Sequence, residues 1–287
     1  MHTMSKSRVS STLLKDVITY KKASVSAIVP AFDEEKNIAK TIKFLLEDSL
    51  INEVICVNDG STDSSFEIIN SFKNKIKTIN LKENHGKGKA LSEGIKKAKG
   101  EIVLFIDADL INFTHKHVKM ILSPLLKGEK KVVLGYGTPK KNHFFASSSL
   151  VKGNTGQRAY FRQDLLPYLG KIAKKKYGVE VYLNTLFNKN DVKMIPLVKM
   201  THIWKHKKHP PQKAIKQYIK MGTEIAKEVG KREFREMTEI EKIRIKKLRE
   251  TIRDEFNTVI ANQSYFMPYF SKIHLYSKRV FNYLFES

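Results

Sequence analysis

The feature that most constrains this chain is a regular alternation of short apolar runs with helical patterns between residues 25 and 106. The runs are rich in β-branched residues, as buried strands are: Val25–Pro30, Glu53–Val57, Lys77–Leu81 and Glu101–Ile106. Apolar residues recur at helical spacing in the intervening segments Glu34–Glu47, Ser64–Phe72 and Gly88–Ala98. This alternation predicts an α/β fold, with a mostly parallel, Rossmann-like sheet and helices on both faces.

Acidic residues follow several of the predicted strands. Asp33 and Glu34 come after the first, Asp59 after the second, and Asp107 and Asp109 after the fourth. Ligands of parallel sheets bind at the carboxyl ends of the strands, so we expect these side chains to share one site.

Asp107 and Asp109 form an Asp-x-Asp step. Two carboxylates this close repel each other unless a cation or hydrogen-bond donors lie between them. Mg²⁺ or Mn²⁺ binds carboxylate and phosphate oxygens together, so the step is typical of a nucleotide site with a metal ion. A helix-capping or turn pair is the alternative interpretation.

Four short motifs occur in order along the chain. They are residues 29–35 (VPAFDEE), 57–63 (VNDGSTD), 84–91 (NHGKGKAL) and 107–109 (DAD). The series resembles the family 2 glycosyltransferases with the GT-A fold, including dolichyl-phosphate mannosyltransferase-like members. The resemblance extends from about Ser24 to Met120. It departs from the family at Asp33, where the family usually has asparagine.

The resemblance implies roles for residues on the donor side. Pro30, Ala31 and Glu34 would line the nucleoside pocket, with Glu34 accepting hydrogen bonds from the ribose, and Asp59 would bind the base. Further donor-side residues would be Gly86 and Lys87 at the diphosphate, Asp107 at the nucleotide, and Asp109 as a catalytic metal ligand.

A second pair of segments, residues 153–160 (GNTGQRAY) and 177–184 (YGVEVYLN), resembles the acceptor side of related GT-A enzymes, including the glucosyl-3-phosphoglycerate synthases. Arg158 would bind a phosphate of the acceptor or donor. Glu180 would contact the sugar or act as general base, since an acceptor hydroxyl must lose its proton. The alternative for Glu180 is a buried partner of a basic residue.

His202 follows the predicted strand Val192–Val198 and resembles the third metal ligand of several GT-A enzymes. A neutral imidazole can complete a Mn²⁺ shell begun by carboxylates and a diphosphate. His206 and His209 are alternatives, as is a basic loop that binds no metal.

The chain carries a net charge of +24, which attracts phosphates. We predict a flexible leader (1–22), a GT-A catalytic domain (23–210) and a helical, basic and aromatic C-terminal extension (211–287). The extension either rests on an anionic membrane surface or packs on the catalytic domain or in a homodimer. Cys56 is the single cysteine, so we expect a reducing, cytoplasmic location, with the inner membrane face as the site of any peripheral binding.

The resulting hypothesis is a metal-dependent glycosyltransferase that uses Mn²⁺ or Mg²⁺. The donor is a nucleoside diphosphate sugar, with a UDP-sugar favoured and GDP-mannose second. The acceptor is a hydroxyl or a phosphate, on a sugar, a phosphorylated molecule or a lipid-linked one. A nucleotidyltransferase is disfavoured because residues 30–35 lack its glycine-rich basic loop. A basic nucleic-acid-binding protein is disfavoured because no recognition motif accompanies the charge.

Overall fold

The computed structural model describes residues 23–138, 155–176 and 178–202. The predicted leader (1–22) and C-terminal extension (211–287) lie outside the described residues, as do His206 and His209. In the described part of the chain, no helix is both long enough and apolar enough to span a lipid bilayer.

The described residues form nine strands and seven α-helices. The strands are β1 (Val25–Ala31), β2 (Glu53–Asp59), β3 (Lys77–Leu81), β4 (Ile102–Phe105), β5 (Leu110–Ile111), β6 (Val132–Thr138), β7 (Gln157–Phe161), β8 (Val192–Val198) and β9 (Thr201–His202). The helices are α1 (Ile38–Glu47), α2 (Ser65–Ser71), α3 (Lys87–Lys97), α4 (His115–Leu126), α5 (Arg162–Leu165), α6 (Leu169–Ala173) and α7 (Val179–Asn184). Two 3-10 turns occupy Leu166–Tyr168 and Lys189–Asp191.

Seven of these strands form one sheet in the order β3-β2-β1-β4-β7-β6-β8. The pairs among β1 to β4 are parallel, as is the β6–β8 pair, whereas β7 runs antiparallel to both β4 and β6. The mostly parallel, Rossmann-like sheet is therefore confirmed. The predicted strand bounds differ by a residue or two, as at β4.

The core lies on both faces of the sheet because neighbouring residues of a buried strand point to opposite sides. One apolar layer contains Val29, Cys56 and Leu104 and is covered by α1, α2 and α4. The opposite layer contains Val57 and Phe105 and is covered by α3, α6 and α7. Helices on both faces were predicted, and the structure confirms them.

Strand β7 was not predicted from the sequence. Its residue Arg158 pairs with Phe105 at the end of β4 and with Leu134 of β6. Because β7 is antiparallel to its neighbours, it begins at the edge where β1, β2 and β4 end. The polar residues Gln157 and Arg158 therefore enter the sheet beside the Asp-x-Asp step.

Candidate active site

The Asp-x-Asp step joins the main sheet to a small two-stranded sheet. Asp107 follows β4, and Asp109 directly precedes β5. Strand β5 pairs antiparallel with β9, with Leu110 opposite His202. This pairing brings His202, which lies 93 positions after Asp109 in the chain, against the two aspartates.

Asp107, Asp109 and His202 form a cluster that can hold a metal ion. One ligand atom of each lies within 4.8 Å of the others. His202 Nδ1 lies 3.3 Å from Asp109 Oδ1 and 3.9 Å from Asp107 Oδ2. Burial lowers the pKa of His202, but the hydrogen bond to Asp109 and the charges of both aspartates outweigh burial and raise it. The two carboxylates suit Mn²⁺ or Mg²⁺, and the imidazole favours Mn²⁺, a transition metal, over Mg²⁺, which prefers oxygen ligands.

Lys87, the first residue of α3, lies between two carboxylates. Its Nζ is 2.6 Å from Asp107 Oδ1 and 2.6 Å from Glu180 Oε1. Burial lowers the pKa of Lys87, but the charges of Asp107 and Glu180 outweigh burial and raise it. Burial raises the pKa of Asp107, but the charges of Lys87 and His202 hold it below its usual range. Lys87 and Asp107 are therefore both charged at neutral pH.

Asp107 is also held from the side of β7. Gln157 Nε2 donates to Asp107 Oδ2 at 3.0 Å. A Cβ atom at Gly156 would lie only 2.0 Å from the same oxygen, so a glycine is required for this close approach. Thr155 Oγ1 lies 2.9 Å from Gln157 Oε1 and orients the Gln157 amide.

Asp59 ends β2 and fixes the loop before α3. Its Oδ1 accepts from the amide of His85 at 2.9 Å, and its Oδ2 accepts from the amide of Gly86 at 2.8 Å. Burial raises the pKa of Asp59, and the two amide hydrogen bonds oppose this change. Gly86 has a φ of 95°, a conformation that glycine adopts without strain. The carboxylate therefore shapes the loop that presents Lys87.

The segment after β1 is held by hydroxyl groups. Asp33 has a φ of 54°, and its Oδ1 accepts from the amide of Thr62 at 2.9 Å. The amide of Glu34 donates to Ser65 Oγ at 2.7 Å, and the Glu34 backbone oxygen accepts from the amide of Ile38 at 2.9 Å. Glu34 thus begins the turn that leads into α1, at the same edge of the sheet as Asp59.

Pro30 and Ala31 lie at the end of β1, opposite Val57 and Asn58 of β2. Pro30 is partly exposed and Ala31 is buried. The residues predicted to bind the nucleoside therefore lie at one edge of the sheet. Gly86 is bonded to Asp59 at this edge, and Lys87 is bonded to Asp107 of the metal-ligand cluster. Their roles toward a ligand stay predictions.

Glu180 lies in the first turn of α7. Its side chain reaches Lys87 directly. Arg158, by contrast, is 1% exposed, and its guanidinium group donates to groups of the protein. The phosphate-binding role of Arg158 stays a prediction. In the structure, its guanidinium group donates hydrogen bonds to Thr155 and Asn184.

Sequence reasoning missed Gly156 and Gln157, although both were quoted within residues 153–160. Residues 157–160 give little signal of a strand, since Gln157 and Arg158 are polar and only Ala159 and Tyr160 follow them. Two polar residues in sequence are buried in a strand only when both strand faces offer hydrogen-bond partners. The acidic cluster after β4 and the helix α7 supply those partners.

Comparison of the sequence with known protein families identifies the class of protein to which this site belongs. The family model for glycosyl transferase family 2 matches residues 26–184, which is more than half of the chain. The chain therefore belongs to glycosyl transferase family 2. This membership favours glycosyl transfer over the nucleotidyltransferase and the nucleic-acid-binding alternatives.

Two curated relatives and one solved structure show how far the similarity extends. The poly(ribitol-phosphate) β-glucosyltransferase of Bacillus spizizenii is 32% identical over 130 residues, covering 40% of this chain and 20% of the relative. The dolichyl-phosphate β-glucosyltransferase of Dictyostelium discoideum is 29% identical over 178 residues, covering 56% of this chain and 49% of the relative. The chain thus spans half or less of these relatives.

The solved structure is glucosyl-3-phosphoglycerate synthase from Mycobacterium tuberculosis, in complex with Mn²⁺, UDP-glucose and phosphoglyceric acid. It superposes with a TM-score of 0.56 at 22% identity, covering 72% of this chain and 80% of that chain. At this identity the likeness is one of fold, and it confirms the predicted GT-A fold for the described residues.

Proposed function

We propose that this protein transfers a sugar from a nucleoside diphosphate sugar to a hydroxyl or phosphate acceptor. A UDP-sugar is the first choice of donor and GDP-mannose the second. The observation that carries this proposal is the position of the metal-ligand cluster, Asp107, Asp109 and His202, directly beside Lys87 at the carboxyl edge of the sheet. The synthase with the same fold was solved with Mn²⁺ and UDP-glucose, which supports a UDP-sugar and a divalent ion here.

On the donor side, Asp109 and His202 would hold Mn²⁺ or Mg²⁺. The ion supplies positive charge that stabilises the departing nucleoside diphosphate. Lys87 adds a second, preorganised positive charge, and such groups act where charge develops during the reaction. Glu34 and Asp59 would orient the ribose and the base, next to Pro30 and Ala31.

On the acceptor side, Glu180 is the candidate base. In the structure its carboxylate is bonded to Lys87 at 2.6 Å, so a donor diphosphate that attracts Lys87 would free it. A hydroxyl acceptor needs a base because the hydroxyl proton must be removed during attack. A phosphate acceptor is already anionic and needs none. The names of two relatives, a dolichyl-phosphate and a poly(ribitol-phosphate) glucosyltransferase, make a lipid-linked or phosphorylated acceptor a reasonable first choice.

The proposal is tested by thermal unfolding with UDP, GDP, CDP or dTDP, each with and without Mn²⁺. A ligand at a hundred times its Kd stabilises the native state by about 2.7 kcal/mol, so binding is readily measured. We expect a Mn²⁺-dependent stabilisation by UDP that is lost in Asp109→Ala. The matched control is Glu129→Ala, which removes a half-exposed carboxylate elsewhere and should respond like the wild type.

Release of UDP from UDP-glucose is then measured with dolichyl phosphate, phosphoglyceric acid and neutral sugars as acceptors. Glu180→Gln should lower turnover with the neutral sugars and with the hydroxyl group of phosphoglyceric acid, because these acceptors need a base. It should spare turnover with dolichyl phosphate, which attacks through its phosphate. If no nucleotide stabilises a folded wild-type protein in the presence of Mn²⁺ or Mg²⁺, the proposed function is wrong.

A further inference from the structure

Arg158 is a cation in the interior of the sheet. It pairs with Phe105 of β4 and Leu134 of β6, and it is 1% exposed. Burying a charged group is costly unless hydrogen bonds replace its water. A guanidinium group at such a position must therefore be matched to fixed acceptors.

The acceptors of Arg158 lie on two separate segments. Nε donates to the backbone oxygen of Thr155 at 2.5 Å, at the entrance to β7. Nη1 donates to Asn184 Oδ1 at 2.8 Å and lies 3.3 Å from the backbone oxygen of Glu180, both on α7. Nη1 also lies 3.2 Å from the hydroxyl of Tyr160. One rigid group thus joins the start of β7 to the helix that carries Glu180.

Each of these segments holds one carboxylate of the candidate active site. The entrance to β7 places Gly156 and Gln157 against Asp107. Helix α7 places Glu180, whose carboxylate meets Asp107 through their common partner Lys87. The separation of the two carboxylates therefore depends on how α7 sits against the entrance to β7, and Arg158 bonds directly to both.

We propose that Arg158 is a positioning residue that fixes Glu180 relative to Asp107, and not a ligand of a substrate phosphate. This inference rests on the proposed function for its effect on turnover, but its structural claim does not. The planar guanidinium group can donate in several fixed directions at once, whereas a lysine ammonium group on a flexible stem cannot reproduce that fork. Arg158→Lys keeps the positive charge but removes the fixed set of guanidinium donors. The variant therefore distinguishes a role in positioning α7 from a role in attracting an anion.

Three variants test the proposal. Arg158→Lys removes the fork, and Asn184→Ala removes one acceptor of the same link while leaving Arg158 intact. Arg162→Lys is the matched control, because Arg162 donates to the backbone oxygens of Ile95 and Lys96 at the end of α3, away from the site. If Arg158→Lys does not fold, Asn184→Ala carries the test by itself.

The first measurement is amide hydrogen exchange, which reports local opening of individual segments. We expect exchange in α7 to be about tenfold faster in Arg158→Lys and Asn184→Ala, with β1, β2 and β4 unchanged. Arg162→Lys should leave α7 as in the wild type. Unchanged exchange in α7 for both site variants would overturn the proposal.

The second measurement separates binding from turnover, with UDP-glucose and Mn²⁺ as the probe. A displacement of about 1 Å at a reacting group costs about a hundredfold, so we expect kcat to fall tenfold to a hundredfold in Arg158→Lys. The KM for UDP-glucose and the Kd for UDP should stay within about twofold, because a group that acts only on turnover leaves binding unchanged. A rise in KM at constant kcat would assign Arg158 to ligand binding and overturn the proposal.

A double variant decides whether the two residues act through one link. Since Arg158 and Asn184 are bonded, their effects should be non-additive, and Asn184→Ala should cost little more once Arg158 is lysine. Independent, multiplying effects would contradict a shared positioning role. If the wild type binds no nucleotide, the proposed function fails, and hydrogen exchange in α7 alone still decides the role of Arg158.

Discussion

The two halves of the described part of the chain build the candidate active site in different ways. In the first half, residues 23–106, the acidic site residues follow strands and are held by backbone amides or hydroxyl groups near the starts of α2 and α3. Asp59, for example, accepts from the amides of His85 and Gly86. In the second half, residues 107–202, the site depends on side-chain contacts between distant segments. Asp109 meets His202, and Glu180 meets Lys87 of the first half, each across 93 positions of the chain.

This difference shows which parts of a site a chain can specify locally. The sheet itself fixes the positions of residues at the ends of parallel strands. A carboxylate there is held once it accepts hydrogen bonds from a neighbouring loop, as Asp59 does. A side chain brought from a distant segment needs a supporting contact of its own. Gln157 and Arg158 supply that support on opposite faces of β7, one toward Asp107 and the other toward α7.

The largest effect is expected where the two halves touch, at the start of α3. A Cβ atom at Gly88 would lie 1.8 Å from the backbone oxygen of Lys175 and 2.3 Å from that of Ile172. We expect Gly88→Ala to lower the free energy of unfolding by about 3 kcal/mol, because overpacking forces backbone to move. The measurement is urea unfolding of the variant and the wild type.

Gly170, on α6, provides the matched control. Nothing lies within 4 Å of a Cβ atom built there, and alanine favours a helix over glycine. Gly170→Ala should therefore raise the free energy of unfolding by about 0.5–1 kcal/mol. Equal and small effects at both glycines would show that the two halves are not in the close contact the structure describes.

The sequence predicted the first half well because its signals are local. Strand Lys77–Leu81 was predicted at its observed bounds, and β1 and β2 end close to their predicted ends. Hydrophobic periodicity and turn residues lie within a few positions of the element that they predict. The positions of Asp59, Asp107 and Asp109 follow from the ends of those strands.

The second half was harder because its contacts are not local. Strand β7 is short, carries two buried polar residues and runs antiparallel, so the period of its apolar residues gives little signal. The pairing of β5 with β9 involves two residues on each side and cannot be inferred from either segment alone. His202 was found through the family resemblance, whereas Gly156 and Gln157 were recognised only when β7 was placed beside Asp107.

An intermediate effect is expected for the carboxylate that shapes the first-half loop. Asn at position 59 has one acceptor oxygen, so its amide group would face an N–H donor of His85 or Gly86. We expect Asp59→Asn to lower the free energy of unfolding by about 1–2 kcal/mol, because a buried donor loses its partner. The affinity for UDP with Mn²⁺ should fall as well, and both are measured by unfolding with and without the nucleotide.

Asp33→Asn is the comparison for that variant. Asp33 Oδ1 accepts from the amide and hydroxyl groups of Thr62, and an asparagine carbonyl can accept both hydrogen bonds. Asparagine also tolerates the left-handed φ of 54° at this position. We expect a change below about 0.5 kcal/mol. A larger loss of stability at Asp33 than at Asp59 would contradict the interpretation that Asp59 fixes its loop by accepting a backbone amide at each carboxylate oxygen.

A smaller effect than at Asp59 is expected for the second-half histidine, His202, and it depends on pH. The pKa of His202 is raised in the folded protein, so its stabilising contribution is present below the unfolded value of about 6.5 and is lost as pH rises through the folded pKa. The difference in free energy of unfolding between the wild type and His202→Gln should therefore shrink between about pH 6 and pH 8 in metal-free buffer. The side chain is 41% exposed and screened by solvent, so we expect less than about 1 kcal/mol.

His117 on α4 should show the opposite dependence on pH. Burial lowers the pKa of His117 and outweighs a backbone hydrogen bond at Val198, and the charge of Lys116 lowers the pKa further. The stabilising contribution of His117 is therefore lost as pH falls below about 6.5. Added Mn²⁺ should reverse the trend at His202 alone, because a metal ligand must be neutral and binding then strengthens as pH rises. A His202 response that stays the same with and without Mn²⁺ would separate this histidine from the metal and leave Asp107 and Asp109 as the only ligands among the three.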